Sequence, residues 1–389
     1  MKILYHHRVA SKDGQFVHIE AILDAFAQQG HEIILVAPAV SEQASFGADG
    51  GWVSQLRRNL PRFLCELLEL GYSAYDFFRL CRAILKHRPD AIYERYNLFL
   101  PSGVIAGKVF HLPLILEINA PLFKERCQYG GLSFTWLARW SEVFTWRNAD
   151  HTLPVTHVLA GDVRRAGVPD ERITVIPNGV DTILFHPSTN PKHPDFAGHL
   201  VVGFVGFCRE WHQLDHVLAL IAQANRHRHP DELPIKLLIV GDGPVLNDLR
   251  QQAKALQAEQ QIHIVGLASR DTMPDWLAQI DIAIQPAVTP WCSPLKLIEY
   301  LACGKAIVAP NSDNIRELLT DGENALLFQE GKLNEMLTCI ERLISDTPLR
   351  RSLSNQAAKT IDQRKLTWQH NGERIISIFH QLLEQEKTP

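Results

Sequence analysis

One stretch in the second half of the chain, PAVTPWCSPLKLIEYLACGKAIVAP at Pro286–Pro310, limits the possible folds because it predicts a helix between two strands. Ser293 is a suitable N-cap, since its hydroxyl can accept a hydrogen bond from a free backbone N–H of the first turn. Pro294 fits the first helical position, where a missing N–H costs nothing, and Gly304 fits the residue that follows the helix. The apolar run AIVAP then predicts a buried strand, and alternation of strands with helices indicates an α/β fold.

The N-terminus of this predicted helix is suited to holding a diphosphate. A helix N-terminus carries about half a positive charge and directs its unpaired N–H groups outward. Leu295 and Lys296 would supply the amides, and Lys296 adds a positive charge. Glu299 lies three residues after Lys296 on the same face, where its carboxylate could accept hydrogen bonds from the two hydroxyls of a ribose. A surface helix with a surface glutamate is the alternative that this stretch alone leaves open.

Length and composition restrict the class of protein. A chain of 389 residues is about two domains long, and a formal net charge of −4 gives no general basic surface for nucleic acid. Seven cysteines without a C-x-x-C pair are typical of reduced cytosolic thiols. The N-terminal sequence lacks the apolar core of a signal peptide, and no apolar run reaches the roughly 18–20 residues that span a bilayer. We therefore expect a cytoplasmic protein that is soluble or lies peripherally on the inner face of the plasma membrane.

Further segments place glycines and polar residues directly after apolar strands, where doubly wound sheets bind ligands. These segments are VIPNGVD at Val175–Asp181, GFVGFCREWH at Gly203–His212, GDGP at Gly241–Pro244 and NIRELLTDGENALLF at Asn314–Phe328. In this order and spacing, the set resembles the retaining sugar-nucleotide glycosyltransferases of family 4 over nearly the whole chain. Three stretches resemble in sequence the branch found with bacterial exopolysaccharide machinery, namely YERYNLF, LEINAPL and SPLKLIEYLACGKAIVAP.

The resemblance implies the GT-B fold, an α/β fold in which two doubly wound Rossmann-like domains face each other across a cleft. We place the N-terminal, acceptor-side domain at residues 1–180 and an interdomain linker rich in Pro, Asn and His at 181–198. The nucleotide-sugar-binding domain follows at 199–365. A C-terminal helix at 366–389 is expected to cross back and pack on the N-terminal domain.

The resemblance places the cations that hold the diphosphate in the turn after the strand LVVGFVG. The family carries an Arg and a Lys-Gly pair there, whereas this chain has Phe207, His212 and Gln213 at those positions. Arg209 is displaced but close enough to replace the missing Arg, because a guanidinium binds phosphate bidentately. We expect Arg209 to be the first catalytic candidate and His212 the second, with surface roles for both as the alternative.

The nucleotide is expected to contact several other positions of the second half. Gly206, Gly241 and Gly243 are predicted to let the backbone approach the ligand closely. Arg270 lies in the loop that holds the base in relatives and could stack on the base, although a solvated side chain is the simpler interpretation. Glu317 matches a family position near the hexose hydroxyls, or it caps its own helix.

In the first half, the resemblance assigns Gly14 and Gln15 to the loop beside the acceptor and the donor phosphates. Asn119 occupies the place of a family histidine that contacts the donor sugar, and an asparagine cannot act as a base. Glu117 is either a catalytic carboxylate or a structural hydrogen-bond acceptor. His18 could face the cleft, but a histidine that opens a helix is more often solvated.

One departure from the family pattern bears on the identity of the sugar. The signature of two glutamates with seven residues between them is incomplete, because Trp291 stands at the first position and Glu299 at the second. Trp291 would then form an aromatic wall that stacks on a sugar face.

Segment 55–88 combines apolar and basic residues, so it either docks on an anionic membrane or forms two amphipathic helices that cover the sheet.

The sequence therefore predicts a retaining glycosyltransferase that moves a sugar from a nucleotide-diphosphate sugar to a glycan or lipid-linked acceptor, in exopolysaccharide or other cell-surface glycan synthesis. We expect no cofactor and no metal ion, since there is no acidic Asp-x-Asp motif, and no nucleic-acid partner.

A sugar-nucleotide 2-epimerase of the same fold is one alternative, and it would convert the sugar nucleotide without an acceptor. A non-catalytic scaffold in polysaccharide assembly is another, motivated by Phe207, Gln213 and Trp291. A nicotinamide oxidoreductase is disfavoured, because the first strand–helix loop lacks G-x-G-x-x-G.

Overall fold

The computed structural model describes residues 1–9, 14–38 and 60–385. All described strands pair in parallel, in a five-stranded sheet with the order β2-β1-β3-β4-β5 and a six-stranded sheet with the order β11-β10-β9-β6-β7-β8. The strands are β1 Lys2–His6, β2 Glu32–Val36, β3 Ala91–Arg95, β4 Leu114–Ile118, β5 His151–Pro154, β6 Leu200–Val205, β7 Ile235–Val240, β8 Ile262–Gly266, β9 Ile282–Ile284, β10 Ala306–Pro310 and β11 Leu326–Phe328.

Helices connect the strands, as parallel sheets require. They are α1 Gly14–Gln28, α2 Arg62–His87, α3 Ser102–Phe110, α4 Leu122–Glu125, α5 Thr135–Asn148, α6 His157–Arg165, α7 Leu214–Arg226, α8 Leu246–Ala255, α9 Met273–Gln279, α10 Leu295–Ala302, α11 Asp313–Arg316, α12 Leu333–Ser345, α13 Thr347–Arg364 and α14 Trp368–Gln385. A π-turn lies at Arg126–Gly130, and 3-10 turns lie at Asp170–Arg172, Glu210–His212 and Glu259–Gln261.

The chain divides into two compact units, each built around one sheet. The first unit comprises Met1–Asn178, Trp291–Ser293 and Trp368–Pro389, and the second comprises Gly179–Pro290 and Pro294–Thr367. The residues assigned to a linker from sequence, 181–198, lie in the second unit. The three residues Trp291–Ser293, which we call the crossover segment, belong to the first unit although their sequence neighbours belong to the second.

Each sheet is buried on both faces, which explains the continuous apolar runs in its strands. Alternate residues of β6 enter two different cores, because successive side chains of a strand point to opposite faces. Val202 and Phe204 pack in one core, whereas Val201 and Val205 pack in the other. The two doubly wound sheets confirm the α/β class.

Helix α14 packs on the first unit, as predicted for the last helix. The ring of Phe379 lies 6.5 Å from that of Tyr93 on β3. Gly372 of α14 contacts α1 closely, and a Cβ atom at this position would lie 2.9 Å from the Cβ of Ala25. A glycine is therefore needed where these two helices meet.

Segment 55–88 forms one helix over its described part, α2, rather than the predicted two. Its orientation is unusual, because its buried residues include the acidic residues Glu66, Glu69 and Asp76. The carboxylate of Asp76 lies 2.7 Å from Nε2 of His6 and accepts a hydrogen bond from the Ser102 hydroxyl. These polar contacts turn the apolar stripe of the helix outward. Residues 55–59 of the predicted segment lie outside the described residues.

Candidate active site

Helix α10 begins one residue later than the sequence predicts, with Pro294 in the N-cap position. Ser293 does not cap the helix, because its Oγ instead accepts a hydrogen bond of 3.1 Å from the backbone N–H of Asn178. Within the described residues, no side chain caps α10. Gly304 adopts the left-handed conformation just after the helix, with φ of +60°, as predicted. The helix start thus keeps the character of an anion site.

Lys296 brings a positive charge to the end of β6. Its Nζ donates a hydrogen bond of 2.9 Å to the carbonyl of Val205 and lies 4.6 Å from the ring centroid of Phe204. A Cβ atom on Gly206 would lie 2.8 Å from this Nζ. Gly206 therefore makes room for the ammonium group beside the turn that follows β6.

Glu299 is half-buried and pairs with Arg270, since its Oε1 lies 3.5 Å from Nη1 of Arg270. Burial raises the pKa of Glu299, and the charges of Arg270 and Lys296 oppose that rise. The guanidinium of Arg270 also lies 5.3 Å from the ring centroid of Phe185. The interpretation of Arg270 as a solvated side chain is therefore wrong, because it bonds to the carboxylate that we expect to hold the ribose.

Gly241 and Gly243 bring the turns after β6 and β7 into close contact. A Cβ atom at Gly241 would lie 2.0 Å from the carbonyl oxygen of Gly206, and one at Gly243 would lie 2.0 Å from that of Cys208. Both glycines have positive φ, of 145° and 157°. In this structure their close approach is to protein backbone, whereas the sequence predicted an approach to ligand.

Arg209 and His212 differ sharply in their environments. The ring Nδ1 of His212 accepts a hydrogen bond of 3.1 Å from the backbone N–H of Arg209. Burial, together with the charges of Lys296 and Arg209, lowers the pKa of His212 to about 4. His212 is thus neutral at pH 7 and cannot supply a cation. Arg209 is exposed, with its guanidinium 4.7 Å from the ring centroid of Phe207 and 5.3 Å from that of Trp211.

Trp291 is not a wall for a sugar, because only 3% of it is exposed and it packs in the core of the first unit. Its carbonyl accepts a hydrogen bond of 3.0 Å from the hydroxyl of Thr156, and Nζ of Lys124 lies 5.4 Å from its ring centroid. The aromatic side chain anchors the crossover segment. The predicted stacking role is therefore wrong.

Glu117, at the carboxyl end of β4, accepts hydrogen bonds from four side chains. His18 donates to Oε2 over 2.9 Å and the Tyr93 hydroxyl over 2.8 Å, while Arg95 and Asn119 donate to Oε1. Burial alone would raise the pKa of Glu117, but the charges of His18 and Arg95 hold it well below its usual range. Between the two alternatives, the geometry supports the structural acceptor, because this carboxylate neither gives nor takes a proton near pH 7.

His18 is a site residue that the sequence interpretation missed, because it is buried rather than solvated. It lies on the same face of α1 as Ile22 and Phe26, four and eight residues later, and both are buried. That spacing was the signal for a histidine facing the core. Its other ring nitrogen bonds to Asn178, in the segment VIPNGVD.

The remaining candidates lie at helix ends. Gly14 and Gln15 begin α1, are exposed, and follow a loop whose residues 10–13 lie outside the described ranges. Leu295 is the first residue of α10. Glu317 is the C-cap residue after the short helix α11, and its carbonyl accepts a hydrogen bond of 2.6 Å from Arg364. In the described part of the chain, no group of three or more His, Cys, Asp or Glu side chains is arranged to hold a metal ion, and no helix is long and apolar enough to cross a membrane.

Comparison with solved structures defines the fold as the GT-B type. HepE of Anabaena, solved in complex with UDP and glucose, superposes with a TM-score of 0.72 and 20% identity, covering 98% of this chain and 100% of that chain. WaaG, a glycosyltransferase involved in lipopolysaccharide biosynthesis, superposes with a TM-score of 0.67 and 12% identity, covering 97% of this chain and 99% of that chain. At these identities the likeness concerns the fold.

The sequence comparisons then give the family. The family model described as Glycosyltransferase Family 4 matches residues 12–184, and the one described as Glycosyl transferases group 1 matches residues 199–346. The D-inositol 3-phosphate glycosyltransferase of Paenarthrobacter aurescens is 24% identical over 97% of this chain and 95% of its own length. The GDP-mannose-dependent alpha-mannosyltransferase of Mycobacterium tuberculosis is 24% identical over 81% and 80%. The chain belongs to family 4 of the glycosyltransferases, enzymes that use a nucleotide-sugar donor.

Proposed function

We propose that this protein is a retaining glycosyltransferase that moves a sugar from a nucleotide-diphosphate sugar to a glycan or lipid-linked acceptor, in exopolysaccharide or other cell-surface glycan synthesis. One observation carries the proposal. The start of α10 has no side-chain cap among the described residues, adjoins the charge of Lys296, and precedes by one turn the half-buried carboxylate of Glu299. This arrangement suits a diphosphate with its attached ribose.

Glu299 would accept hydrogen bonds from the two ribose hydroxyls in place of Arg270. The pair between Arg270 and Glu299 neutralises a half-buried carboxylate while no nucleotide is bound, because a charge withdrawn from water is costly without a partner. Once the ribose replaces it, the planar guanidinium of Arg270 is free to stack on the base. Gly206 keeps the turn after β6 narrow enough for the phosphates to approach.

Negative charge develops on the diphosphate as its bond to the anomeric carbon breaks and the electron pair moves to the phosphate oxygen. Arg209, Lys296 and the start of α10 would stabilise that charge electrostatically. We expect the reaction to need no metal ion, because these groups already supply positive charge. His212 takes no part as a cation, since it is neutral.

The acceptor is expected to bind on the first unit, near Gly14, Gln15 and Asn119. Glu117 fixes the side-chain amide of Asn119 by accepting its hydrogen bond, so that the Asn119 carbonyl oxygen faces away from Glu117. The acceptor hydroxyl forms its new bond to the anomeric carbon on the face from which the diphosphate departs. The hydroxyl proton passes to the departing diphosphate. Glu317 would contact the hydroxyls of the transferred hexose.

We further propose that α2 rests on an anionic membrane surface, where a lipid-linked acceptor resides. Its acidic residues face inward, and its outward stripe carries large apolar side chains at spacings of three, four and seven residues, which lie on one helical face. The exposed members of this stripe are Leu64, Leu68, Tyr75, Phe78 and Leu85. The interpretation that most apolar residues of segment 55–88 cover the sheet is wrong for these side chains.

A non-catalytic scaffold is the second candidate, because the exposed Phe207 and the buried Trp291 replace two polar positions of the family. Calorimetry against UDP, UDP-glucose and GDP-mannose distinguishes the two proposals. A catalyst binds at least one of these nucleotides and transfers sugar in the presence of EDTA, whereas a scaffold binds none.

Two variants test the donor site. Glu299→Ala should weaken nucleotide binding at least tenfold without lowering the melting temperature, while Glu330→Ala, at an exposed glutamate of the same unit, should leave binding unchanged. Arg209→Ala should lower turnover at least tenfold, about 1.4 kcal/mol of barrier. Unchanged affinity in Glu299→Ala removes the ribose role, and a normal rate in Arg209→Ala assigns the phosphate role to Lys296.

A further inference from the structure

A line of buried hydrogen bonds in the first unit joins Glu117 to the crossover segment. Nε2 of His18 lies 2.9 Å from Oε2 of Glu117, and Nδ1 of His18 lies 2.7 Å from Oδ1 of Asn178. The side-chain amide of Asn178 donates a hydrogen bond of 2.6 Å to the carbonyl of Ser293, and its backbone N–H donates to the Ser293 hydroxyl. Three side chains thus connect a strand end to the crossover segment.

The directions of these bonds are fixed by chemistry. The Ser293 carbonyl can only accept, so the NH₂ group of Asn178 must face it and the amide oxygen must face His18. The carboxylate of Glu117 and the amide oxygen of Asn178 are both acceptors, so both ring nitrogens of His18 must donate. A side chain with two opposed N–H donors is required at this point, and the imidazolium form of histidine supplies them.

Among the described residues, Glu117 and Asn178 are the hydrogen-bond partners of the His18 ring. Tyr93 and Arg95 from β3 and Asn119 from the loop after β4 occupy the remaining acceptor positions of Glu117. The ring of Trp368 on α14 lies 4.8 Å from the His18 ring, in an edge-to-face arrangement. The hydrogen bonds therefore form one continuous series, which leads from Glu117 through His18 and Asn178 to Ser293.

We propose that His18 is a positioning residue, which acts through Asn178 to fix Ser293 and thereby the start of α10. Ser293 is covalently joined to Pro294, the N-cap of α10, so a displacement of its carbonyl moves the first turn of that helix. Trp291 and Thr156 hold the other end of the crossover segment. This inference rests on the proposed function in one respect, namely that the start of α10 binds the diphosphate.

Two variants break the line at different points, and a third serves as the control. His18→Gln removes one of the two opposed donors. Asn178→Asp keeps an acceptor for His18 but cannot donate to the Ser293 carbonyl. His151→Gln is the matched control, because His151 is another buried histidine of the first unit that bonds only to Thr174 in the described hydrogen bonds of its side chain.

Hydrogen–deuterium exchange on the full-length protein tests the positioning itself. The peptide that spans the crossover segment should exchange at least fivefold faster in His18→Gln and Asn178→Asp, with little change in peptides of β4 and β7. The control variant should match the wild type. Unchanged exchange of this peptide in both variants overturns the proposal, whether or not the protein transfers sugar.

Kinetics and calorimetry test the consequence, with UDP and GDP as binding probes and UDP-glucose or GDP-mannose as donor. In both variants, the donor KM and the Kd of the nucleotide should rise at least fivefold at unchanged binding stoichiometry. A purely structural loss would lower the number of active molecules and leave KM and Kd unchanged, and that result overturns the proposal. If the wild-type protein binds neither nucleotide, the proposed function fails, and the exchange experiment alone decides the role of His18.

Discussion

Two buried glutamates of the first unit have opposite electrostatic environments. Glu117 faces the cationic groups of His18 and Arg95, which hold its pKa well below the usual range. Burial raises the pKa of Glu142 to about 7, although the backbone N–H of Phe123 and the hydroxyl of Tyr96 donate to it. Identical side chains therefore respond to pH in opposite directions.

We predict that Glu117→Gln lowers the free energy of unfolding by about 3–5 kcal/mol at pH 7, because it leaves Arg95 buried without its carboxylate. A depressed pKa contributes stability above the unfolded-state value of about 4.3. That contribution is lost as the pH falls below this value. The difference in the free energy of unfolding between variant and wild type, measured by urea denaturation, should accordingly shrink steadily as the pH falls below about 4.3.

We predict that Glu142→Gln changes the free energy of unfolding in the opposite direction. A raised pKa means that the folded state loses stability as the pH rises from the unfolded-state value of about 4.3 to about 7, because the buried carboxyl must ionise. The amide removes this cost, so the variant should gain about 1–3 kcal/mol over the wild type at pH 8 and little at pH 5. A loss of stability at pH 8 would contradict this assignment.

Local patterns in the sequence were enough to place Lys296 and Glu299 on one helix, because helical spacing acts over a few residues, although the predicted cap at Ser293 was wrong. They could not show that Glu299 pairs with Arg270, or that His18 bonds to Asn178, 160 residues away. The glycines at 241 and 243 show the same limit. A side chain at either position would collide with the backbone of Gly206 or Cys208, a contact that exists only once two strands lie side by side.

At the scale of single elements, α2 shows how a hydrophobic pattern predicts a helix without predicting which face is buried. The helical spacing of its apolar residues is genuine, yet the carboxylates of Glu66, Glu69 and Asp76 determine its orientation. Glu66 accepts hydrogen bonds from the backbone N–H groups of Ser133 and Phe134, and Glu69 pairs with Arg126. An unpaired buried charge costs more free energy than an exposed apolar side chain, so the carboxylates face their partners and the apolar side chains face outward.

We predict that the outward stripe of α2 binds anionic vesicles. Phe78, which is 71% exposed, should insert its ring at the interface, and Arg82 and Lys86 should each add about 1 kcal/mol near an anionic surface. Phe78→Asn should reduce at least fivefold the fraction of protein that sediments with phosphatidylglycerol vesicles. Arg82→Glu should weaken binding to these vesicles at low salt, with little effect on vesicles of phosphatidylcholine.

Ile183→Asn is the matched control for this experiment, since Ile183 is an exposed apolar residue of the second unit. It should bind vesicles like the wild type. Equal binding of Phe78→Asn and wild type would exclude the stripe as a membrane surface.

At the scale of the whole molecule, the chain passes repeatedly between its two units. It leaves the first unit after Asn178, returns for the crossover segment, and returns again at Trp368 for α14. Family resemblance was sufficient to predict two sheets and the return of the last helix. It did not predict the crossover segment, because the contact of Trp291 with Thr156 joins residues 135 positions apart and departs from the family pattern at Trp291.

We predict that Trp291 contributes to the stability of the first unit rather than to sugar binding. Trp291→Ala should lower the free energy of unfolding by about 3–5 kcal/mol in urea denaturation, because it removes a large buried ring and leaves a cavity. Trp136→Ala, at an exposed tryptophan of the same unit, should change it by less than about 0.5 kcal/mol. If both variants are equally stable, Trp291 does not anchor the crossover segment. The crossover segment would then keep the hydrogen bonds that the carbonyls of Trp291 and Ser293 accept from Thr156 and Asn178, and the ring of Trp291 would add nothing to them.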